Sequence, residues 1–155
     1  MRVTSIEGDL LDQQTDAIVN AWNRNVIPWW LLLPQGVSGA IKKRAGYQPF
    51  RELGGMGPIP LGGAVHTSAG RLAFKGIIHV AGIDLLWRAS RFSVEASTRN
   101  AVALAQRLGY ASLAMPLIGA GSGGMRAADA ERNILDTLRA LDGTLEVTLV
   151  KLGRS

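Results

Sequence analysis

A chain of 155 residues, 47% hydrophobic and 19% charged, suffices for one folded domain with a substantial core and excludes a disordered tail. Cysteine is absent and the only histidines are His66 and His79, which excludes disulfides and thiolate zinc sites and leaves no ligand set for a transition metal. The formal charge of +5 favours an acidic partner, and the lack of an apolar leader or membrane-length run sets the expectation of a cytoplasmic protein with no membrane partner.

In chain order, Val3 to Glu7 has strand composition and ends at Gly8-Asp9. Ala17-Ile-Val19 is a short apolar run that fits a buried strand. Val37 to Arg44 places Val37, Ala40, Ile41 and Arg44 on one helical stripe, with Gly46 as its stop. Ala64 to Ser68 and the β-branched run Gly76 to Val80 read as strands. A long helix is predicted between Ser90 and Leu108, facing inward with Val94, Ala101, Ala105 and Leu108 and closed by Gly109. Leu113 to Pro116 is a strand, and Ala127 to Leu141 is a helix that buries Ile134, Leu135, Leu138 and Leu141. Val147 to Leu152 closes the chain as a strand. No repeat or linker divides it, so one domain over 1–155 is expected. Strands alternating with helices imply parallel pairing through crossovers, with ligands beyond the carboxyl ends of the strands. The loops after Val19, Val80 and Met115 meet at that edge.

Four segments converge there. The most informative is Met115-Pro-Leu-Ile-Gly-Ala-Gly-Ser-Gly-Gly-Met125, a loop with four glycines between a strand and a helix. Glycine permits close approach of a ligand to the main chain, and N–H groups at a helix start suit a phosphate. Pro34-Gln-Gly-Val-Ser-Gly39 opens the helix at Val37 and offers a second cradle, and two opposed cradles suit a diphosphate. Ser38 there reads as a helix-start residue satisfying backbone groups; no Ser-His-Asp or Ser-x-x-Lys constellation supports it as a nucleophile. In Gly8-Asp9-Leu10 the carboxylate either accepts from an exocyclic amine of a base or caps the next turn. In Ala17-Ile-Val-Asn-Ala-Trp-Asn23, Asn20 is assigned to holding the loop and Asn23 to facing the ligand, since an amide both donates and accepts. Lys42-Lys43-Arg44 is read as a solvated basic helix face.

These segments, in this order, resemble a macrodomain, the ADP-ribose-binding (Appr-1″-p processing) family, in a divergent bacterial-type form. The matching stretches are Gly8-Asp9-Leu10, Asp16 to Asn23, Gly36-Val-Ser-Gly-Ala-Ile41, Ile77-Ile-His-Val-Ala-Gly82 and Pro116 to Gly124. The resemblance implies a three-layer α/β/α fold with a mostly parallel, mixed central sheet. It implies that Asp9 contacts the adenine amine, with Leu10 beside it, and that Asn23 contacts the distal ribose, with Asn20 nearby. Gly36, Val37, Ser38 and Gly39 wrap one side of the diphosphate; Ile118, Gly119, Ala120, Gly121, Ser122, Gly123, Gly124 and Met125 wrap the other. No cofactor and no metal are implied.

Three departures stand out. Hydrolytic members similar to this chain carry Asp where Ser38 stands, and serine has no carboxylate basicity. Arg24-Asn-Val-Ile-Pro-Trp-Trp-Leu-Leu-Leu-Pro34 replaces a short glycine run and reads as a lid over the distal ribose, as local core or as a dimer contact. The aromatic residues often found late in the glycine loop and in the last strand are missing, which leaves Trp22, Trp29, Trp30 and Trp87 as stacking candidates. The favoured expectation is an ADP-ribosyl hydrolase acting on a modified macromolecule or an O-acyl ester, with Asn23 and then Asp84 as catalytic candidates. The alternative is a non-catalytic reader of ADP-ribose or poly(ADP-ribose). Nucleic acid, bound through Lys42 to Arg44, ranks third.

Overall fold

The computed structural model describes residues 1–32 and 36–152. Six strands form one sheet: β1 (Arg2–Gly8), β2 (Ala17–Trp22), β3 (Ala64–Thr67), β4 (Gly76–Ala81), β5 (Ser112–Met115) and β6 (Glu146–Leu152), in spatial order β1-β6-β5-β2-β4-β3. Every neighbouring pair is parallel except β3, which runs antiparallel to β4 at the edge. The helices are α1 (Gly36–Ala45), α2 (Gln48–Gly54), α3 (Arg91–Arg107) and α4 (Ala127–Arg139). The sheet is therefore mixed and mostly parallel, as expected.

The central strands are apolar on both faces because helices cover both. Alternation sends Ala17, Val19, Ile78, Val80, Leu113 and Met115 towards Val94, Ala101 and Ala105 of α3 and Ile134 and Leu138 of α4. Ile18, Ile77, Ala81 and Ala114 face the opposite core, with Ile41 and Ala45 of α1 and Phe50 and Leu53 of α2. Ser90 starts α3 with a reciprocal pair of bonds to Ser93 (Ser93 N to Ser90 Oγ at 3.0 Å, Ser90 N to Ser93 Oγ at 2.9 Å), which satisfies helix-start donors. Among the described residues, no helix is long and apolar enough to cross a membrane.

Several sequence expectations need correction. β2 continues through Trp22, so Asn20 and Trp22 belong to the strand and the loop begins at Asn23. In α1 the inward residues are Ile41, Lys42 and Ala45, whereas Ala40 and Arg44 are exposed. Leu108 is 41% exposed because it lies beyond the last turn of α3. Helix α2 was not anticipated; it buries Pro49, Phe50 and Leu53.

The basic triplet is a solvated face only in part: Lys43 and Arg44 are exposed, but Lys42 is not. Lys42 is 7% exposed, its Nζ donates to the Trp29 carbonyl at 3.2 Å, and it lies 5.1 Å from the Phe50 ring centroid and 5.5 Å from that of Trp22. Arg44 pairs with Asp9 and Asp12 at 3.7 and 3.5 Å. Only Lys43 of the three is left exposed without an ion pair among the described residues, too little charge to anchor a polyanion.

Candidate functional site

Strands β2 and β5 are neighbours, yet the chain leaves them towards opposite faces, to α1 after β2 and to α4 after β5. Such a switch opens a crevice at the carboxyl edge of a parallel sheet, with a helix start on each side. The edge loops are tied together there. The N–H of Gly82 donates to the Trp22 carbonyl at 3.1 Å, and the N–H of Ala89 donates to the Gly123 carbonyl at 2.9 Å.

On the α1 side, Gly36 has φ +58 and a side chain there would meet no atom within 4 Å. Val37, Ser38 and Gly39 follow, half-buried, and no acidic residue lies in this first turn to oppose an anion. Leu33, Pro34 and Gln35, the lead into this turn, lie outside the described residues, so the Pro34-Gln part of the expected cradle does too. On the other side, the glycines divide by task. A methyl on Gly119 (φ +95) would meet Val94 Cγ2 at 2.7 Å, and one on Gly123 would meet Ala89 Cβ at 2.8 Å; these two let the loop pack. Gly121 (φ +69) and Gly124 (φ +75) face open space. Ile118 is fully buried, Ala120 and Met125 are half-buried, and the N–H of Met125 closes the loop on the Gly119 carbonyl at 3.0 Å. Ser122 falls in the same turn, Gly121–Gly123. Helix α4 then starts at Ala127 without a side-chain cap from Arg126, which leaves its first N–H groups to other acceptors.

Asp9 sits after β1 at the same edge. Its Oδ1 accepts from the Leu11 N–H at 2.9 Å, so it caps the turn, while Oδ2 lies 3.7 Å from Arg44. Leu10 is buried beneath it. Asn23 is 9% exposed and its Oδ1 accepts from the Asn25 N–H at 2.7 Å, which holds the amide at the head of the loop and leaves its Nδ2 donors uncommitted among the described residues. Asn20 is fully buried and bonded to Ser38 and His79, so its side chain supports the start of α1 from the interior. Asp84 is tied up: its Oδ1 accepts from the N–H of Arg88 at 3.0 Å and of Leu86 at 2.8 Å, and Oδ2 pairs with Arg88 at 3.6 Å. The bond from the Arg88 N–H, helped by the one from Leu86 and by the guanidinium, holds its carboxyl below the usual carboxylate range. That makes Asp84 a weaker base than a free carboxylate.

Sequence reasoning passed over Asn25. With φ +60, it donates through Nδ2 to the Leu53 and Gly57 carbonyls at 2.7 and 2.9 Å and accepts from Trp22 Nε1 at 3.2 Å. It pins the described part of the insert, residues 24–32, to the end of α2. Only an Asn at a left-handed position hints at this, and that is invisible before the backbone is known. The insert is partly core, with Trp29 against Phe50 (6.3 Å) and Tyr47 (5.4 Å), and partly surface, with Trp30 67% exposed beside a cavity of about 340 Å³ lined by Asn25, Pro28, Trp29 and Arg51. A second cavity of about 350 Å³, between Ile59, Val65, Leu104 and Arg107, lies beside the edge strand β3. Of the stacking candidates, Trp22 is buried against Phe50. Trp87 is 39% exposed in the loop that touches the glycine turn.

The sequence profile of the Macro domain family matches residues 19–134. The chain belongs to this family. It is 38% identical to a Macro domain-containing protein of Streptomyces griseus, over 89% of this chain and 79% of that protein. It is 32% identical to an uncharacterized protein of Aquifex aeolicus, over 92% and 84%. Among solved structures, a point mutant of the Oceanobacillus iheyensis macrodomain with ADPR superposes with a TM-score of 0.84 at 26% identity, over 97% of this chain and 84% of that one. The fold is thus that of a macrodomain.

Proposed function

We propose that this chain, as one macrodomain, binds ADP-ribose or an ADP-ribosyl conjugate in the crevice between the start of α1 and the 119–124 loop. The observation that carries this reading is the pair of backbone walls flanking adjacent strands: Gly36 on one side and Gly121 and Gly124 on the other each look onto open space. Two uncharged, N–H-rich walls match a diphosphate, which carries its charge on oxygens and needs donors from both sides. The ADPR-bound structure of the similar Oceanobacillus iheyensis macrodomain supports the choice of nucleotide. Asp9 Oδ2 would take the adenine amine and the Asn23 amide the distal ribose.

Hydrolysis is the second reading, and Asn23 is the residue that favours it. An amide held by Asn25 can orient a water, and preorganised positioning supplies much of a rate enhancement without a strong base. The ligand's own phosphate would then assist proton transfer. Against it, Ser38 brings no carboxylate and Asp84 spends its oxygens on its own turn, so binding is the function the geometry supports best. Calorimetric titration with ADP-ribose, ADP and AMP tests it. Affinity should fall in that order, and equal binding of AMP and ADP-ribose would refute the diphosphate clasp.

A further inference from the structure

A line of buried polar groups crosses the sheet from the start of α1 to the end of β3. Ser38 Oγ bonds Asn20 Oδ1 at 2.8 Å, and Asn20 Nδ2 bonds His79 Nδ1 at 3.0 Å. His79 Nε2 lies 2.8 Å from Thr67 Oγ1, and that hydroxyl also bonds the Ser68 carbonyl at 2.9 Å. Asn20 and His79 are wholly buried and Thr67 is 2% exposed, so water does not complete these bonds. Burial pushes the His79 imidazole down to about 3, so the ring is neutral and carries a single N–H.

Proton accounting decides the direction of every bond. A carbonyl only accepts, so the Thr67 hydrogen goes to Ser68. Thr67 must then accept from His79, which places the ring hydrogen on Nε2 and leaves Nδ1 bare. A bare Nδ1 requires the amide nitrogen of Asn20, which turns the amide oxygen towards Ser38. That oxygen takes the Ser38 hydrogen. The reverse assignment, with the Asn20 amide turned over and the hydrogen on His79 Nδ1, forfeits the Thr67–Ser68 bond and leaves the Ser38 hydrogen only the Ala21 carbonyl at 3.4 Å.

We propose that Asn20, His79 and Thr67 are positioning residues that commit the Ser38 hydrogen to the protein interior. Ser38 Oγ then meets a ligand as an acceptor only, so this side chain takes a sugar hydroxyl, while the diphosphate is left to the backbone N–H groups of the turn. The identity of the ligand rests on the proposed function; the proton arrangement does not. Long-range ¹H–¹⁵N NMR of the unliganded protein reads the His79 tautomer: a hydrogen on Nε2 is expected, and one on Nδ1 overturns the proposal. For the ligand half, Ser38→Ala should weaken ADP-ribose roughly 3- to 10-fold, the scale of one net hydrogen bond, and ADP less; equal losses for both would refute selection of a sugar hydroxyl. Thr67→Val, at the far end of the line, should also lower ADP-ribose affinity while Thr67→Ser restores it, and wild-type binding by the valine variant would refute the positioning role. Should Thr67→Val fail to fold, the wild-type spectrum and the Ser38→Ala comparison still decide. A protein that shows the Nε2 form but binds no ADP-ribose would overturn the proposed function and the ligand half, leaving the proton arrangement intact.

Discussion

Gly119 and Gly121 stand two residues apart in the same loop, both with positive φ, and should respond to alanine differently, the first mainly in stability and the second mainly in affinity. At Gly119 a left-handed backbone costs an L-residue roughly 1–2 kcal/mol. The added methyl would meet Val94 Cγ2 at 2.7 Å and Ala89 Cβ at 3.2 Å, an overpacking that costs roughly 1–3 kcal/mol more. The sum, about 2–5 kcal/mol, corresponds to a melting-temperature drop of roughly 4–20 °C for a domain of this size. At Gly121 the methyl meets nothing within 4 Å. Only the backbone contribution of roughly 1–2 kcal/mol remains, a drop of roughly 2–8 °C. That methyl, however, projects into the space assigned to the diphosphate. Gly121→Ala should therefore lose at least about tenfold in ADP-ribose affinity, or ~1.4 kcal/mol, while melting well above Gly119→Ala. Calorimetric titration and thermal unfolding of both variants check this. Wild-type affinity in Gly121→Ala, or equal destabilisation of the two, would refute the division of the glycines into packing and ligand-facing positions.

Other predictions follow from the same geometry. Phe50 is fully buried beneath Trp22 and Trp29, so Phe50→Ala should cost about 3–5 kcal/mol in a urea melt; a loss below about 1 kcal/mol would contradict its place in the core. Burial pushes the Lys42 ammonium below its ordinary 10.5, so between its folded value and 10.5 the unfolded chain holds more protons and stability rises with pH. Wild type should therefore gain on Lys42→Met as pH climbs towards 10.5, and a pH-independent difference in urea midpoints would show that Lys42 is not desolvated. If the chain hydrolyses ADP-ribosyl linkages, Asn23→Ala should lower release of ADP-ribose from automodified protein by tenfold or more, whereas no release by either protein, with tight binding intact, identifies a reader.

The layered fold and the carboxyl-edge crevice were legible because apolar runs such as Ile77–Val80 and the stripe of Val94, Ala101 and Ala105 carry the periods of buried strand and helix. β2 was read short because Asn20 and Trp22 look like loop residues; inside the sheet their polar atoms are satisfied by His79, Ser38 and Asn25, partners that lie far off in sequence or beyond the strand. Helix α2 was hidden by its length of seven residues and by Pro49, which sits harmlessly in the first turn. Lys42 looked like one of three surface cations, but it lies one turn from Ser38 and beside Ile41, on the inner side of α1, where its apolar stem packs and its head finds two aromatic rings. The glycine loop announced an anion site; which glycines serve packing and which face the crevice depends on Val94 and Ala89, and no local pattern encodes that.

The most direct test of the central claim is a crystal structure of the protein soaked with ADP-ribose. The diphosphate should lie between Gly36–Gly39 and Gly119–Gly124 and accept hydrogen bonds from backbone N–H groups on both sides. A nucleotide bound elsewhere, or a crevice filled by the protein's own side chains, would contradict it.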